Sequence, residues 1–156
     1  MSILTGIDIE VYGIISPCVR RGVHAQTGLS FGLGQACYDI CIKQGYILNK
    51  GDFVLASTVE RFTMPNNVVG IVHDKSSLVR KGLGVFNTVL DPGWRGYLTL
   101  ELVYHGNEPL EIIAGQPIAQ VIFHQTTHPV LGYQGKYQDQ EDRPVPSRRE
   151  NSSLDR

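Results

Sequence analysis

Glycine or proline interrupts the apolar runs of this chain every few residues. Seventeen glycines and eight prolines are spread over 156 residues. The stretches between them are too short for long helices and suit short strands closed by turns. The pattern predicts strands at residues 7–11, 29–32, 38–42, 53–59, 68–73, 98–104, 110–113 and 119–124. Turn chemistry separates them at Asn49-Lys50-Gly51-Asp52, Pro65-Asn66-Asn67, Asp91-Pro92-Gly93 and Gly106-Asn107-Glu108-Pro109. One segment breaks this rhythm: Ser76-Ser77-Leu78-Val79-Arg80-Lys81 predicts a short helix with a serine N-cap, closed by Gly82. It reads either as a plain connector between strands or as an anion site beside Lys75.

A chain of this length can bury a core as one domain. Residues 1–137 are expected to form it. From Gln138 to residue 156 the composition turns polar, which predicts a segment that adds nothing to the core. It is either a frayed tail or a flap over a ligand. The net charge of -1 argues against a nucleic-acid partner but allows a small anion held by a few local cations. Cys18, Cys37 and Cys41 form no CxxC pair and read as reduced thiols. With no basic leader and no membrane-length apolar run, the expected location is the cytoplasm, away from the membrane.

Several chemistries lack their residues. No Walker A sequence, HExxH or GxSxG occurs, and the glycines at 28, 32 and 34 are wrongly spaced for GxGxxG. The zinc-deaminase signature of HxE followed by a CxxC pair is also missing. His24, His73, His105, His124 and His128 show no metal-ligand spacing. Zinc is therefore not expected.

The most informative segment runs from Asp91 to Leu102. A tight Asp-Pro-Gly turn enters a strand on which Leu98, Leu100 and Leu102 share one face and Thr99, Glu101 and Val103 the other. Glu101 has two readings here. It is a solvated face position, or a partly buried carboxylate with a raised pKa suited to moving protons.

Five ordered stretches carry a resemblance. Lys75-Ser76-Ser77-Leu78-Val79-Arg80-Lys81-Gly82-Leu83 resembles R-S-S-L-A-R-x-G-L, and Asp91 through Glu101 resembles D-P-G-W-x-G-x-x-x-L-E. Gly115-Gln116-Pro117-Ile118-Ala119-Gln120 resembles G-x-x-I-x-Q, and Gly135-Lys136-Tyr137-Gln138-Asp139-Gln140 resembles K-Y-x-x-Q. Ala36-Cys37-Tyr38-Asp39-Ile40 is similar to an S-Y-D strand. Together they resemble the dCTP deaminase family of the dUTPase-like superfamily, from about residue 28 to residue 140.

The resemblance implies a mostly-β fold, a distorted β-barrel or jelly-roll-like core with one or two short helices. It implies a homotrimer with active sites between subunits. It also implies zinc-independent hydrolysis of the amino group of dCTP, giving dUTP and ammonia. Glu101 would be the general base, Ser76 would hold the water, and Arg80 would orient Glu101. Lys75 and Ser77 would bind triphosphate oxygens, Asp91 the sugar hydroxyl, and Trp94 the deoxyribose. Lys136 and Gln140 would arrive from a C-terminal flap, with Tyr133 a further phosphate contact. Magnesium would sit on the substrate phosphates rather than in a protein cage.

The sequence departs from the family between Val85 and Asp91. Many members carry an A-H-R or A-R element before the aspartate, whereas this shorter loop reads Thr88-Val89-Leu90. Two alternatives stay open for that reason. One is a dUTP diphosphatase, or a bifunctional enzyme, in which Asp91 activates water against the α-phosphorus. The other is a non-catalytic nucleotide-binding regulator that takes dCTP or dTTP.

Overall fold

The computed structural model describes residues 2–86 and 88–149. Helix α1 (Gly6–Tyr12) leads. Strands β1 (Ile15–Ser16), β2 (Gly22–Val23), β3 (Ser30–Leu33), β4 (Tyr38–Cys41), β5 (Tyr46–Leu48), β6 (Phe53–Thr63) and β7 (Val68–Asp74) follow. Then come helix α2 (Ser76–Val79) and strands β8 (Leu83–Val85), β9 (Val89–Leu90), β10 (Arg95–Tyr104), β11 (Leu110–Ile112) and β12 (Pro117–Gln125). The fold is mostly β, as expected.

Two larger sheets hold the molecule together. One orders its strands β2-β3-β4-β12-β7-β9 and the other β1-β6-β10-β8, while β11 and β5 form a small ribbon. Every strand pairing among the described residues is antiparallel. Antiparallel sheets bury one face and leave the other to solvent or ligand, which explains the alternating sequence. Tyr38, Ile40, Val121 and Phe123 from the first sheet and Phe62, Leu100 and Leu102 from the second are fully buried. On β10 Leu100 and Leu102 are fully buried in this core, while Glu101 and Val103, which alternate with them, are only partly buried.

The β6–β10 ladder shifts register between Tyr97 and Thr99. At the irregularity Thr58 Oγ1 accepts a hydrogen bond from Leu98 N at 3.0 Å, and its own hydroxyl donates to the Glu60 carbonyl at 2.7 Å. A side chain thus replaces the lost ladder bonds. Bulges of this kind re-aim the residues beside them, and Thr99 is the first residue back in register.

The expected strand at 7–11 is a helix. Its alternating Ile-Asp-Ile-Glu-Val pattern suits a strand, but local capping decides otherwise. Thr5 and Asp8 form a reciprocal capping box, with Thr5 N donating to Asp8 Oδ2 at 2.8 Å and Asp8 N to Thr5 Oγ1 at 3.4 Å. Gly13, at φ +62°, closes the other end. Helix α2 forms where expected, and Gly82 lies just beyond it at φ +93°. Its N-cap, however, is Lys75 rather than a serine, with no side-chain cap bond. Lys75 has the extended backbone usual at an N-cap, and its side chain is buried.

The segment after Gln138 packs against β10. Gln140 and Val145 are buried, and Gln140 forms a parallel bridge with Gly96 of β10. Polar residues can pack here because the strand edge and its side chains satisfy them. Residues 150–156 of that tail lie outside the described residues.

Candidate active site

A cavity of about 500 Å3 opens beside the outward face of β10, a size suited to a small-molecule ligand. Leu98, Thr99 and Glu101 of β10 and Phe53 and Leu55 of β6 line one side. Thr88, Val89, Leu90, Asp91 and Trp94 form the rim, and Tyr133, Tyr137, Gln140, Val145 and Ser147 close over it.

Glu101 is half-buried in this cavity. Burial holds its carboxyl above the ordinary glutamate range, because removing water disfavours the charged form. The solvated-face reading of Glu101 is therefore set aside.

The rim is set by one turn. Trp94 N donates to Asp91 O at 3.1 Å, closing Asp91-Pro92-Gly93-Trp94. Gly93 sits at φ +78°, and a Cβ there would lie 2.7 Å from Gly132 Cα, so only glycine lets the two loops touch. The turn leaves Asp91 exposed and swings Trp94 inward. The Trp94 ring packs 6.3 Å from that of Phe62, and its Nε1 donates to Tyr137 O at 2.7 Å.

The chain after Tyr133 is tied across the cavity by several bonds. Tyr133 N donates to Pro92 O at 2.8 Å, and Tyr137 N to the Tyr133 hydroxyl at 3.1 Å. Gln138 Nε2 donates to Gly93 O and to Tyr133 O, both at 3.0 Å. Tyr97 N donates to Gln140 O at 3.0 Å, and Arg95 pairs with Asp139. At Gly96, φ is +144° and a Cβ would lie 2.6 Å from Gln140 N. That glycine is what allows the tail to approach β10.

The predicted site residues therefore divide. Glu101, Asp91, Trp94, Tyr133 and Gln140 converge on one cavity. Ser76, Ser77 and Arg80 lie exposed on or beside α2 and do not line it. No ion pair joins Arg80 to Glu101 among the described residues. Lys136 is also off the lining, its ammonium 5.3 Å from the centre of the Tyr137 ring. Lys75 is buried, with Nζ 3.0 Å from Asp39 Oδ2 and 3.2 Å from Ser30 Oγ. A phosphate reaching Lys75 would have to compete with Asp39.

Three polar groups had no assigned role in the sequence. Asp39 was visible within its motif but without a partner. Thr99 shared a face with Glu101. Glu60 lay one residue beyond a predicted strand and gave no signal. Glu60 is 3% exposed. It accepts from Cys41 N at 3.0 and 3.2 Å, and burial pushes its carboxyl up to about 7. Among the described residues, no three His, Cys, Asp or Glu side chains converge to hold a metal. No helix among them is long and apolar enough to cross a membrane.

The family model described as dCTP deaminase-like matches residues 37–126. A "dCTP deaminase, dUMP-forming" of Corynebacterium glutamicum (strain R) is 40% identical over 113 residues, covering 67% of this chain and 59% of that protein. A dCTP deaminase of Hyperthermus butylicus is 36% identical over 105 residues, with the same two coverages of 67% and 59%. The chain thus matches 59% of the length of these curated relatives. Among solved structures, the 2'-deoxycytidine 5'-triphosphate deaminase of Agrobacterium tumefaciens superposes with a TM-score of 0.61 at 14% identity. It covers 79% of this chain and 47% of that one. The EIAV dUTPase superposes at 0.55 with 24% identity over 67% and 87%. At those identities the structural likeness concerns the fold.

Proposed function

The chain belongs to the dCTP deaminase-like family, and on that premise we propose that its Glu101 cavity binds dCTP and removes the cytosine amino group by hydrolysis. The observation that carries this reading is the position of Glu101. It is the carboxyl on the cavity's β10 wall, and burial raises its pKa.

The chemistry follows from that carboxylate. Glu101 takes a proton from water, and the resulting hydroxide adds to C4 of the base. The carboxyl returns that proton to the ring nitrogen, then takes the proton of the new C4 hydroxyl and passes it to the exocyclic nitrogen, so that the C4–N bond breaks, the C4 carbonyl forms and ammonia leaves. Water and dCTP are thereby converted to dUTP and ammonia. Asp91 at the rim would accept from the sugar hydroxyl, and Trp94 would pack against the deoxyribose. Gln140 and Tyr133 would cover the nucleotide and limit access of bulk water. Magnesium would travel on the phosphates.

Ser76, Ser77, Arg80 and Lys75 remain outside this cavity in one chain. A homotrimer with sites between subunits would supply them from a neighbour, Ser76 to hold the water and Arg80 to orient Glu101. That arrangement explains why the resemblance joins residues that a single chain keeps apart.

One observation favours a second reading. The relative 40% identical to this chain is named dUMP-forming, and the loop Thr88-Val89-Leu90 that precedes Asp91 is short. A bifunctional enzyme would add cleavage between the α- and β-phosphorus after deamination. Chromatography of the products from dCTP and, separately, from dUTP distinguishes the two. Conversion of dCTP to dUTP alone supports the first reading, and dUMP from dCTP supports the second. Loss of neither substrate would overturn both and leave nucleotide binding without turnover.

A further inference from the structure

The grip of the tail on β10 converges on one hydroxyl. Thr99 lies two residues before Glu101 on the same strand face and is 7% exposed. Its Oγ1 accepts from Gln140 Nε2 at 2.5 Å and from Val145 N at 3.0 Å. Both donors belong to buried residues that line the cavity. A hydroxyl oxygen offers two lone pairs, and these two bonds use both.

The ion pairs of the tail are weaker anchors. Arg95–Asp139 and Lys43–Asp142 are exposed ion pairs, which water screens and side-chain entropy opposes. A buried N–H stripped of its acceptor, by contrast, keeps its whole desolvation penalty. The anchor closest in sequence to Glu101 is thus also the one whose loss is least compensated.

We propose that Thr99 is a positioning residue that locks residues 137–147 over the Glu101 cavity. It ties the closing segment to the strand that carries Glu101, two residues from that carboxyl. The proposal deepens the reading of this cavity as a nucleotide site and rests on that reading for its kinetic consequence only.

Trp94 makes the test direct. It is the one tryptophan of the chain, and its indole is bonded to the backbone of the closing segment. Its emission therefore reports docking without any turnover. Thr99→Val keeps the shape of the side chain and removes both acceptor sites. It is expected to red-shift Trp94 emission and to speed tryptic cleavage after Lys136, at the entry to the segment, about tenfold or more, the scale of losing buried hydrogen bonds. The KM for dCTP should rise by more than kcat falls. Thr99→Ser should restore all three. Gln140→Leu alters the tail and leaves β10 untouched, and it should reproduce the emission shift.

Unchanged emission and cleavage in folded Thr99→Val and Gln140→Leu would overturn the proposal. If both variants shift emission and cleavage while the unaltered protein consumes no dCTP, the lock stands and the deaminase reading falls.

Discussion

The ammonium of Lys75 lies 3.0 Å from Asp39 Oδ2, and the two side chains retain only 7% and 6% of their exposure. The pair joins the loop entering α2 to β4, and Ser30 bonds to both partners. It fixes where α2 leaves the sheet, and therefore where Ser76, Ser77 and Arg80 are presented.

Breaking one side of that pair should be costly. Asp39→Asn leaves a buried ammonium without its counter-charge, and urea unfolding should show a loss of about 3–5 kcal/mol. The double variant Asp39→Asn with Lys75→Met should recover much of it, because no charge is left uncompensated. A loss near zero for the single variant would mean that the pair opens to water.

The β10 strand was legible because Leu98, Leu100 and Leu102 alternate with polar residues, and the Asp91-Pro92-Gly93 turn before it is spelled by its own residue types. Strand β1 was not legible, since two residues carry no period, and the same holds for β2 and β9. At 7–11 the alternation pointed to a strand, while the Thr5–Asp8 capping box made a helix. The convergence of Glu101, Asp91, Trp94, Tyr133 and Gln140 follows motifs that the sequence displays. The Lys75–Asp39 pair does not, because pairing across 36 positions is decided by the fold of the sheet rather than by spacing.

Glu60 predicts a pH dependence with a definite sign. Its folded carboxyl sits at about 7 against an ordinary value of 4.5, so the folded state holds the proton more tightly than the unfolded chain. Its contribution to stability is complete below about pH 4.5 and is lost as pH rises through 7, with a total of roughly 3 kcal/mol. Glu60→Gln should flatten the fall in unfolding free energy between pH 5 and pH 8. A variant with the same slope as the unaltered protein would place the titrating group elsewhere.

Removing the chain from Gly135 onward takes away Tyr137, Gln140 and Val145 from the cavity. Calorimetric affinity for dCTP should weaken about tenfold or more, while the thermal transition of the sheets persists. Equal affinity in the shortened chain would mean that the closing segment does not touch the nucleotide.

The most direct measurement compares ammonia release from dCTP by the unaltered protein and by Glu101→Gln, with dCTP affinity measured on both. Glu101→Gln is expected to bind dCTP nearly as well and to release ammonia roughly 10^2- to 10^4-fold more slowly, the range for loss of a general base. Release at close to the unaltered rate would remove Glu101 from the chemistry.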